Sequence, residues 1–392
     1  MPIALIIDTI TKSLEKKEKV VGLYLDLKKA FDTVNVEILL KKISFIGIRG
    51  DLLHLIKSYF MNRTQKVEIN NYISSEKPVT VGVPQGSILG PLLFILYIND
   101  LTTISDDINF FLFADDTAII IADKTYEDLQ TKINTTLPIL TQWFLTNRLS
   151  LNASKTCFQV YSPPSINMNI NINIHNSQIN RCATVKYLGV VMDENLKWDA
   201  HINNISKKIS RNLGIIGRAR NCLSPRELLL LYNALILPYL NYSAVVWGFN
   251  YRTRLFKIVK LQKRALRIID QKPFLYPSNR LFIKYRVLRI QDIVVEQSIM
   301  ILLSYLNGSI PNVIGNLFNL NTASNTRSPE HFLVPFTHAN FRAFSLAFSL
   351  PRAWNMTICK IFRNINDVPR GKAILKRAVR NFMISKYNND ER

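Results

Sequence analysis

Two apolar runs in this chain carry carboxylates where a buried strand has no use for them. VVGLYLDL (20–27) is β-branched and apolar until Asp26, and NFFLFADDTAIII (109–121) holds Asp115 and Asp116 between two hydrophobic arms. A carboxylate in such surroundings is costly unless it is paired or bound to a cation. Local sequence offers little pairing, because Lys66 and Lys77 are the only basic residues between Arg63 and Lys124. The two runs read as strands by their β-branched content and length. A fold that brings their acidic ends together makes a site for hard divalent cations, and two Mg²⁺ about 4 Å apart would clamp the oxygens of a phosphoryl transfer. Taken alone, an exposed Asp-Asp turn and an Asp26 that caps the next helix explain the same residues.

Three further features favour the metal reading. VPQGSILGP (83–91) places Gly86 in a loop that leads into a helix, where backbone can approach a ligand and the helix N-terminus favours phosphate. Phe31 lies five residues after Asp26, read as the start of a helix, where an aromatic ring can stack beneath a sugar. SLNASKT (150–156) sets Lys155 after an apolar helix, in position to give a proton to departing pyrophosphate. Each has a plainer alternative: a turn glycine, a core phenylalanine and a surface lysine.

The pattern between these motifs is mixed α+β. Ile3, Ile6, Ile7, Ile10 and Leu14 recur at helical spacing, as do Val36, Leu39, Leu40 and Ile43. Helices are also predicted over about 50–61, 87–99 and 126–148, and a hairpin over 65–82 with its turn near Asn70-Asn71. Residues 165–180 alternate Ile or Met with Asn, which predicts a strand with one buried face; His175 reads as a surface residue. Beyond Trp198, Ile202, Ile205, Ile209, Leu213 and Ile216 form one helical stripe, with Lys207, Lys208, Arg211 and Arg218 lying off it. Residues 253–269 repeat that design, and a basic helix is predicted near 370–387. The uncharged run from Leu228 to Asn250 is long enough to cross a bilayer. Asn233, Pro238, Asn241 and Ser243 interrupt it, and SPRE (224–227) opens it as a capping box, so it reads as a buried helix and a short apolar segment.

Charge divides the chain unequally. Its 50 Lys and Arg against 28 Asp and Glu give +22, yet residues 1–200 hold 20 of each sign. The excess sits in residues 201–392, which predicts a polyanionic partner such as nucleic acid. A hydrophobic fraction of 48% excludes a disordered basic tail. Cys157, Cys182, Cys222 and Cys359 are too far apart for a zinc knuckle and read as buried thiols in a reducing compartment. The N-terminus has no basic region ahead of its apolar run, so it does not read as a secretory signal.

In order along the chain, LDLKKAFDTV, GVPQGSILGPLLF, FADD, LSLNASKT and KYLGV resemble the palm motifs of reverse transcriptases of non-LTR retrotransposons, in particular the jockey-like group. The resemblance covers roughly residues 1–270. The segments SPRELLLLYNALILPYLNYSAVVWG and LQKRALRII resemble the thumb of the same elements. NTRS and LPRAWN are similar to their C-terminal regions.

The resemblance implies an α+β polymerase palm with an antiparallel sheet and packed helices over residues 1–192. A helical basic thumb over 193–270 and a mostly helical basic C-terminal region over 271–392 follow. It implies that Asp26, Asp115 and Asp116 hold two Mg²⁺, with Mn²⁺ as a substitute, and that the Leu27 carbonyl completes the shell. Phe31 matches the steric gate that selects deoxynucleotides; Gln85, Gly86 and Ser87 match the loop around the template–nucleotide pair. Lys155 matches the general acid, and Tyr187, Leu188 and Gly189 the primer grip. An RNA template, a DNA primer or target and dNTPs are the implied partners, with no membrane. Lys207, Lys208, Arg211, Arg218, Lys257, Lys260, Lys263, Arg264 and Arg267 are the expected nucleic-acid contacts. The implied location is intracellular, in the nucleus or a cytoplasmic ribonucleoprotein.

Relatives of this kind start well upstream of the palm strand, so the sequence predicts a truncated element lacking most of the fingers. A fuller copy would then supply fingers or an endonuclease. The main alternative is a catalytically inactive relic that binds nucleic acid. An RNA-dependent RNA polymerase also uses separated aspartates, but Phe31 argues against it. A haloacid-type phosphotransferase is excluded because no Asp stands two residues after Asp26.

Overall fold

The computed structural model describes residues 2–161, 170–174, 177–321, 331–337 and 342–388. The chain forms two compact units, Lys17–Tyr187 and a second made of Ile3–Lys16 together with Leu188–Arg392.

The first unit is built on a five-stranded sheet. Its strands are β1 (Lys19–Leu25), β2 (Asn109–Phe113), β3 (Asp116–Asp123), β4 (Cys157–Tyr161) and β5 (Asn180–Arg181). Their order is β5-β4-β1-β3-β2, so the strand that precedes Asp26 is central. β1 pairs antiparallel with both β3 and β4, and β2 with β3. The sheet is not wholly antiparallel, because β5 runs parallel to β4 at the edge. This two-residue strand returns from the segment that follows β4, and its direction is not encoded in local periodicity.

Central strands covered on both faces need apolar residues throughout. Accordingly Val20, Val21, Leu23 and Ile119–Ile121 are almost fully buried. Helices α2 (Val36–Phe45), α3 (Gly50–Phe60), α4 (Leu89–Ile98) and α5 (Tyr126–Thr146) supply the rest of the core, with Leu39, Ile43, Phe94, Tyr97, Leu129 and Phe144 buried. The expected hairpin forms as paired short strands whose inner turn is Asn70-Asn71, both at positive φ. In the alternating segment, Ile170, Ile172 and Ile174 are buried while Asn171 and Asn173 are exposed. Only Asn173–Ile174 is laddered there, against Ser177–Gln178. Residues 165–169 and His175 lie outside the described residues.

The second unit is helical. Its helix α1 (Pro2–Glu15) buries Ile3, Ile6, Ile7 and Ile10 and joins this unit, where the Glu15 carboxylate pairs with Arg342 at 2.6 Å and accepts from Thr337 at 2.7 Å. The strand Val190–Asp193 leads into α6 (Asp199–Ala219), which buries the expected stripe from Ile202 to Ile216. α7 (Pro225–Leu235) begins at the predicted capping box and ends before Pro238. Helices α8 (Arg252–Ile269), α9 (Ile290–Leu306), α10 (Leu346–Ile361) and α11 (Lys372–Lys386) complete the part used below. LPRAWN lies in α10 with Leu350 and Trp354 fully buried, whereas NTRS is outside the described residues.

No helix among the described residues is long and apolar enough to cross a membrane. All four cysteines are free, but the expectation of buried thiols is corrected. Cys222 is exposed and the other three are half-buried, so their surroundings are not uniformly apolar.

Candidate active site

The ladder between β1 and β3 ends at Leu25↔Thr117. One residue further on each strand stand Asp26 and Asp116, and Asp115 occupies the turn that joins β2 to β3. That turn needs Ala114 at φ 53°, a left-handed position that strains a residue with a side chain. Three carboxylates are thus gathered at one end of the central strands, Asp26 and Asp116 by register and Asp115 by the adjoining turn. The Asp116 carboxyl is raised above its ordinary value, first by partial burial and then by the charges of Asp115 and Asp26.

Asp26 is held from the side of β4. Asn152 Nδ2 donates to Asp26 Oδ2 at 3.0 Å, and the Asn152 N–H donates to the Asp26 carbonyl at 2.8 Å. The Asp26 N–H reaches Thr156 Oγ1 at 3.3 Å, Leu27 bridges to Leu151, and the Lys28 N–H donates to the Ser150 carbonyl. Lys155 Nζ lies 3.8 Å from Asp26 Oδ2 on a largely open side chain. SLNASKT therefore acts as a cradle for Asp26 as well as a mount for Lys155. Asn152 was within the quoted motif, and its fixed amide, three residues before the lysine, was the signal sequence reasoning passed over.

A cavity of about 420 Å³ adjoins this edge, lined by Leu27, Lys29, Ala30, Phe31, Pro84, Gln85, Gly86, Pro91 and Asp115. It brings together Phe31, Gln85 and Gly86 with one of the acids; Asp26, Asp116, Ser87 and Lys155 are not among its lining residues. Phe31 does not start a helix. It sits in a run of turns, because Asn35 caps α2 through Oδ1 to the Ile38 N–H and the helix begins at Val36. Its ring stacks on Phe94 with centroids 4.7 Å apart, so it is fixed from behind while it faces the cavity. Gln85 is oriented by Asp32, whose Oδ1 accepts from Nε2 at 2.8 Å. Gly86 stands at φ 82°, and Ser87 Oγ donates to the Pro84 carbonyl and accepts from the Gly90 N–H, tying the loop to α4.

The remaining expected residues fall elsewhere. Tyr187 is buried in the first unit, its ring 5.6 Å from that of Tyr24 and its hydroxyl donating to the Phe111 and Asp116 carbonyls at 3.3 and 3.4 Å. It braces the acidic hairpin. Leu188 and Gly189 form a turn at φ 45° and 78° in the second unit, where Tyr242 donates to the Leu188 carbonyl at 2.7 Å. Also there, Lys207, Lys208, Arg211 and Arg218 are exposed on α6, as are Lys257, Lys260 and Arg264 on α8. Lys263 and Arg267 are half-buried. Arg267 Nε is occupied by the Tyr276 carbonyl at 2.9 Å, and Lys257 Nζ donates to Asn203 at 3.0 Å.

Among the described residues no three His, Cys, Asp or Glu side chains converge into a metal cage. Hard carboxylate oxygens nevertheless suit Mg²⁺, which is usually held by one or two carboxylates plus water and substrate phosphates. Asp116, raised by partial burial first and then by the Asp115 and Asp26 charges, is the carboxylate whose cost a cation there would offset. The donor set fits.

Residues 2–192 match the family model described as reverse transcriptase (RNA-dependent DNA polymerase). The chain is 30% identical over 280 residues to the RNA-directed DNA polymerase from mobile element jockey of Drosophila melanogaster, covering 69% of this chain and 30% of that protein. Its counterpart in Drosophila funebris is 29% identical, over 74% of this chain and 33% of the relative. The probable RNA-directed DNA polymerase from transposon X-element of Drosophila melanogaster is 26% identical, over 67% and 30%. The chain spans about a third of the length of these curated relatives.

Proposed function

Because residues 2–192 of this chain belong to the reverse transcriptase (RNA-dependent DNA polymerase) family, we propose that it carries the palm of a non-LTR retrotransposon polymerase that extends a DNA primer with dNTPs along an RNA template. The observation that supports this most is the meeting of Asp26 and Asp116 one residue beyond the Leu25↔Thr117 pair, with Asp115 beside them and the Phe31 cavity adjoining. In this reading residues 193–270 serve as the thumb and 271–392 as a C-terminal extension.

The reaction is attack of the primer 3′-hydroxyl on the α-phosphorus of the dNTP: the new O–P bond replaces the bond to the departing pyrophosphate, and the hydroxyl proton passes to solvent. Bound Mg²⁺, or Mn²⁺ in its place, would be held by Asp26, Asp115, Asp116 and the Leu27 carbonyl and would supply charge neutralisation at the reacting oxygens. Asn152 fixes the Asp26 carboxylate in one orientation through its 3.0 Å bond, so the site needs little reorganisation as charge develops. Phe31, backed by Phe94, presents a flat wall where a ribose 2′-hydroxyl would collide. Gln85, held by Asp32, and the open backbone at Gly86 line the same space against the nascent base pair. Lys155 sits on a largely exposed side chain beside Asp26 and would donate a proton to the leaving pyrophosphate.

The test is competition between dNTPs and rNTPs on an RNA template with a DNA primer. Wild type should favour dNTPs, and Phe31→Ala should narrow that preference by about tenfold or more, equivalent to about 1.4 kcal/mol at the transition state. Equal use of both nucleotides by wild type, or an unchanged preference in Phe31→Ala, would contradict the assignment.

A further inference from the structure

The second unit holds a trough that none of the roles above uses. Two cavities, of about 620 and 510 Å³, share Arg252, Asp292, Met383 and Lys386 and so form one continuous depression. Its walls come from α8, α9, α10 and α11. Arg352 and Lys360 stand eight residues apart on one face of α10 and border the larger part with Arg252 and Lys386. Lys263 and Arg289 border the smaller part. Asp292 is the only acid among the lining residues of either part, and it accepts a hydrogen bond from the Tyr387 hydroxyl.

Six cations around one concave surface with one acid is an unfavourable arrangement for an empty protein. Among the described residues no carboxylate lies within ion-pair distance of Arg252, Lys263, Arg352 or Lys360. The strain shows in Lys263, lowered by burial first and then by the Arg289 and Arg267 charges, and in Lys386, lowered by burial and then by Lys360, with Asp292 opposing. A polyanion would relieve that repulsion and release counterions on binding. The same trough carries an aromatic platform. Tyr251 is 53% exposed, and its ring meets Phe344 edge-on with centroids 5.2 Å apart. In a duplex the bases already stack on one another, so such a platform is useful only to an unstacked base. Cationic walls that track a backbone together with a ring for a base are the two parts of a single-strand site.

We propose that this trough is a binding site for single-stranded nucleic acid, with Arg252, Arg352, Lys360 and Lys386 on its phosphates and Tyr251 under a base. Of the cations on α6 and α8 expected from sequence, only Lys263 lines it, so this surface is separate from the one those residues present. The proposal does not depend on polymerase activity, because a binding assay needs no turnover.

Fluorescence anisotropy of the full chain tests it, with labelled single-stranded RNA and DNA of about 16 nucleotides and a duplex of the same length. The double variant Arg352→Gln/Lys360→Gln should lose about tenfold or more in single-strand affinity at moderate salt. Its slope of log K against log salt should fall in magnitude by about 1.4, or roughly 0.7 for each phosphate contact removed. Tyr251→Ala should weaken single-strand binding and leave duplex binding unchanged. Lys41→Gln/Lys57→Gln, an equal loss of charge on the first unit, should bind as wild type, and thermal melts should show all variants folded. Single-strand affinity within twofold of wild type in the double variant would overturn the proposal. So would an equal loss in the Lys41/Lys57 control, or an equal loss of duplex and single-strand binding in Tyr251→Ala.

Discussion

The gathering of three acids has a consequence for stability that Asp116→Asn makes measurable. Asp116 is raised by burial, by Asp115 and by Asp26, so its charged form is less welcome in the folded chain than in the unfolded one. The native state therefore binds a proton more readily, and stability falls as pH rises from the unfolded carboxylate value through the raised one. The whole penalty is present once the pH exceeds the raised value. More than a third of this side chain is open to solvent, so the repulsion is worth what a surface charge pair is worth, about 0.2–1 kcal/mol. Asp116→Asn removes the charge and leaves the backbone carbonyl that accepts from Tyr187. Its Tm should rise by up to about 4 °C at pH 7 and low salt, from the usual 2–4 °C per kcal/mol for a unit of this size. The gain should vanish below the unfolded carboxylate pKa of about 3.9. Millimolar Mg²⁺ should raise the Tm of wild type more than that of the variant. Thermal melts followed by circular dichroism read all three. A variant that is less stable than wild type at pH 7, with no dependence on pH, would refute the claim that the acids repel one another across the strand ends.

Three further substitutions probe other parts of the account. Asn152→Ala should lower the rate of primer extension by about tenfold or more with little change in Tm, because Asp26 loses its fixed partner while the backbone bridges stay; an unchanged rate would show that Asn152 does not orient Asp26. Gly82 stands at φ 85°, and an added Cβ would lie 2.8 Å from the Asp32 carbonyl oxygen, so Gly82→Ala should cost about 2–4 kcal/mol in urea unfolding and disturb Gln85 through Asp32. A cost below about 0.5 kcal/mol would mean the loop shifts freely. In the second unit, buried Gln262 donates to the Tyr232 hydroxyl and the Leu288 carbonyl and accepts from the Ile290 N–H. Gln262→Leu leaves those groups unpaired and should cost about 2–4 kcal/mol by denaturant titration, whereas a near-neutral effect would contradict that network.

Much of the acidic site was legible because strands and carboxylates obey opposite solvation rules. An apolar run that stops at an acid marks where a strand leaves the core, and both β1 and the β2–β3 turn stop there. The capping box was equally readable, since Ser224 and Glu227 exchange hydrogen bonds of 2.7 and 3.4 Å, each from backbone N–H to the other's side chain. Phe31 stands outside the helix because the Asn35 side chain is a strong N-cap and fixes the helix start at Val36, five residues beyond Phe31. The hold of Asn152 on Asp26 joins residues 126 apart, and the association of α1 with Arg342 joins residues more than 300 apart. Amphipathic spacing says that a helix face is covered and does not say by what. The trough has the same origin, since α8, α10 and α11 each contribute one or two cations to it and Arg289, just ahead of α9, adds another.

The most direct test of the central claim is single-turnover primer extension on an RNA template with Mg²⁺, comparing wild type with Asp26→Asn and Asp115→Asn. Wild type should extend the primer, and both variants should lose activity by orders of magnitude while melting within a few degrees of wild type. Extension by the variants at the wild-type rate, or none by wild type above the Asp115→Asn background, would contradict the assignment of these strand-end acids as the site of nucleotide addition.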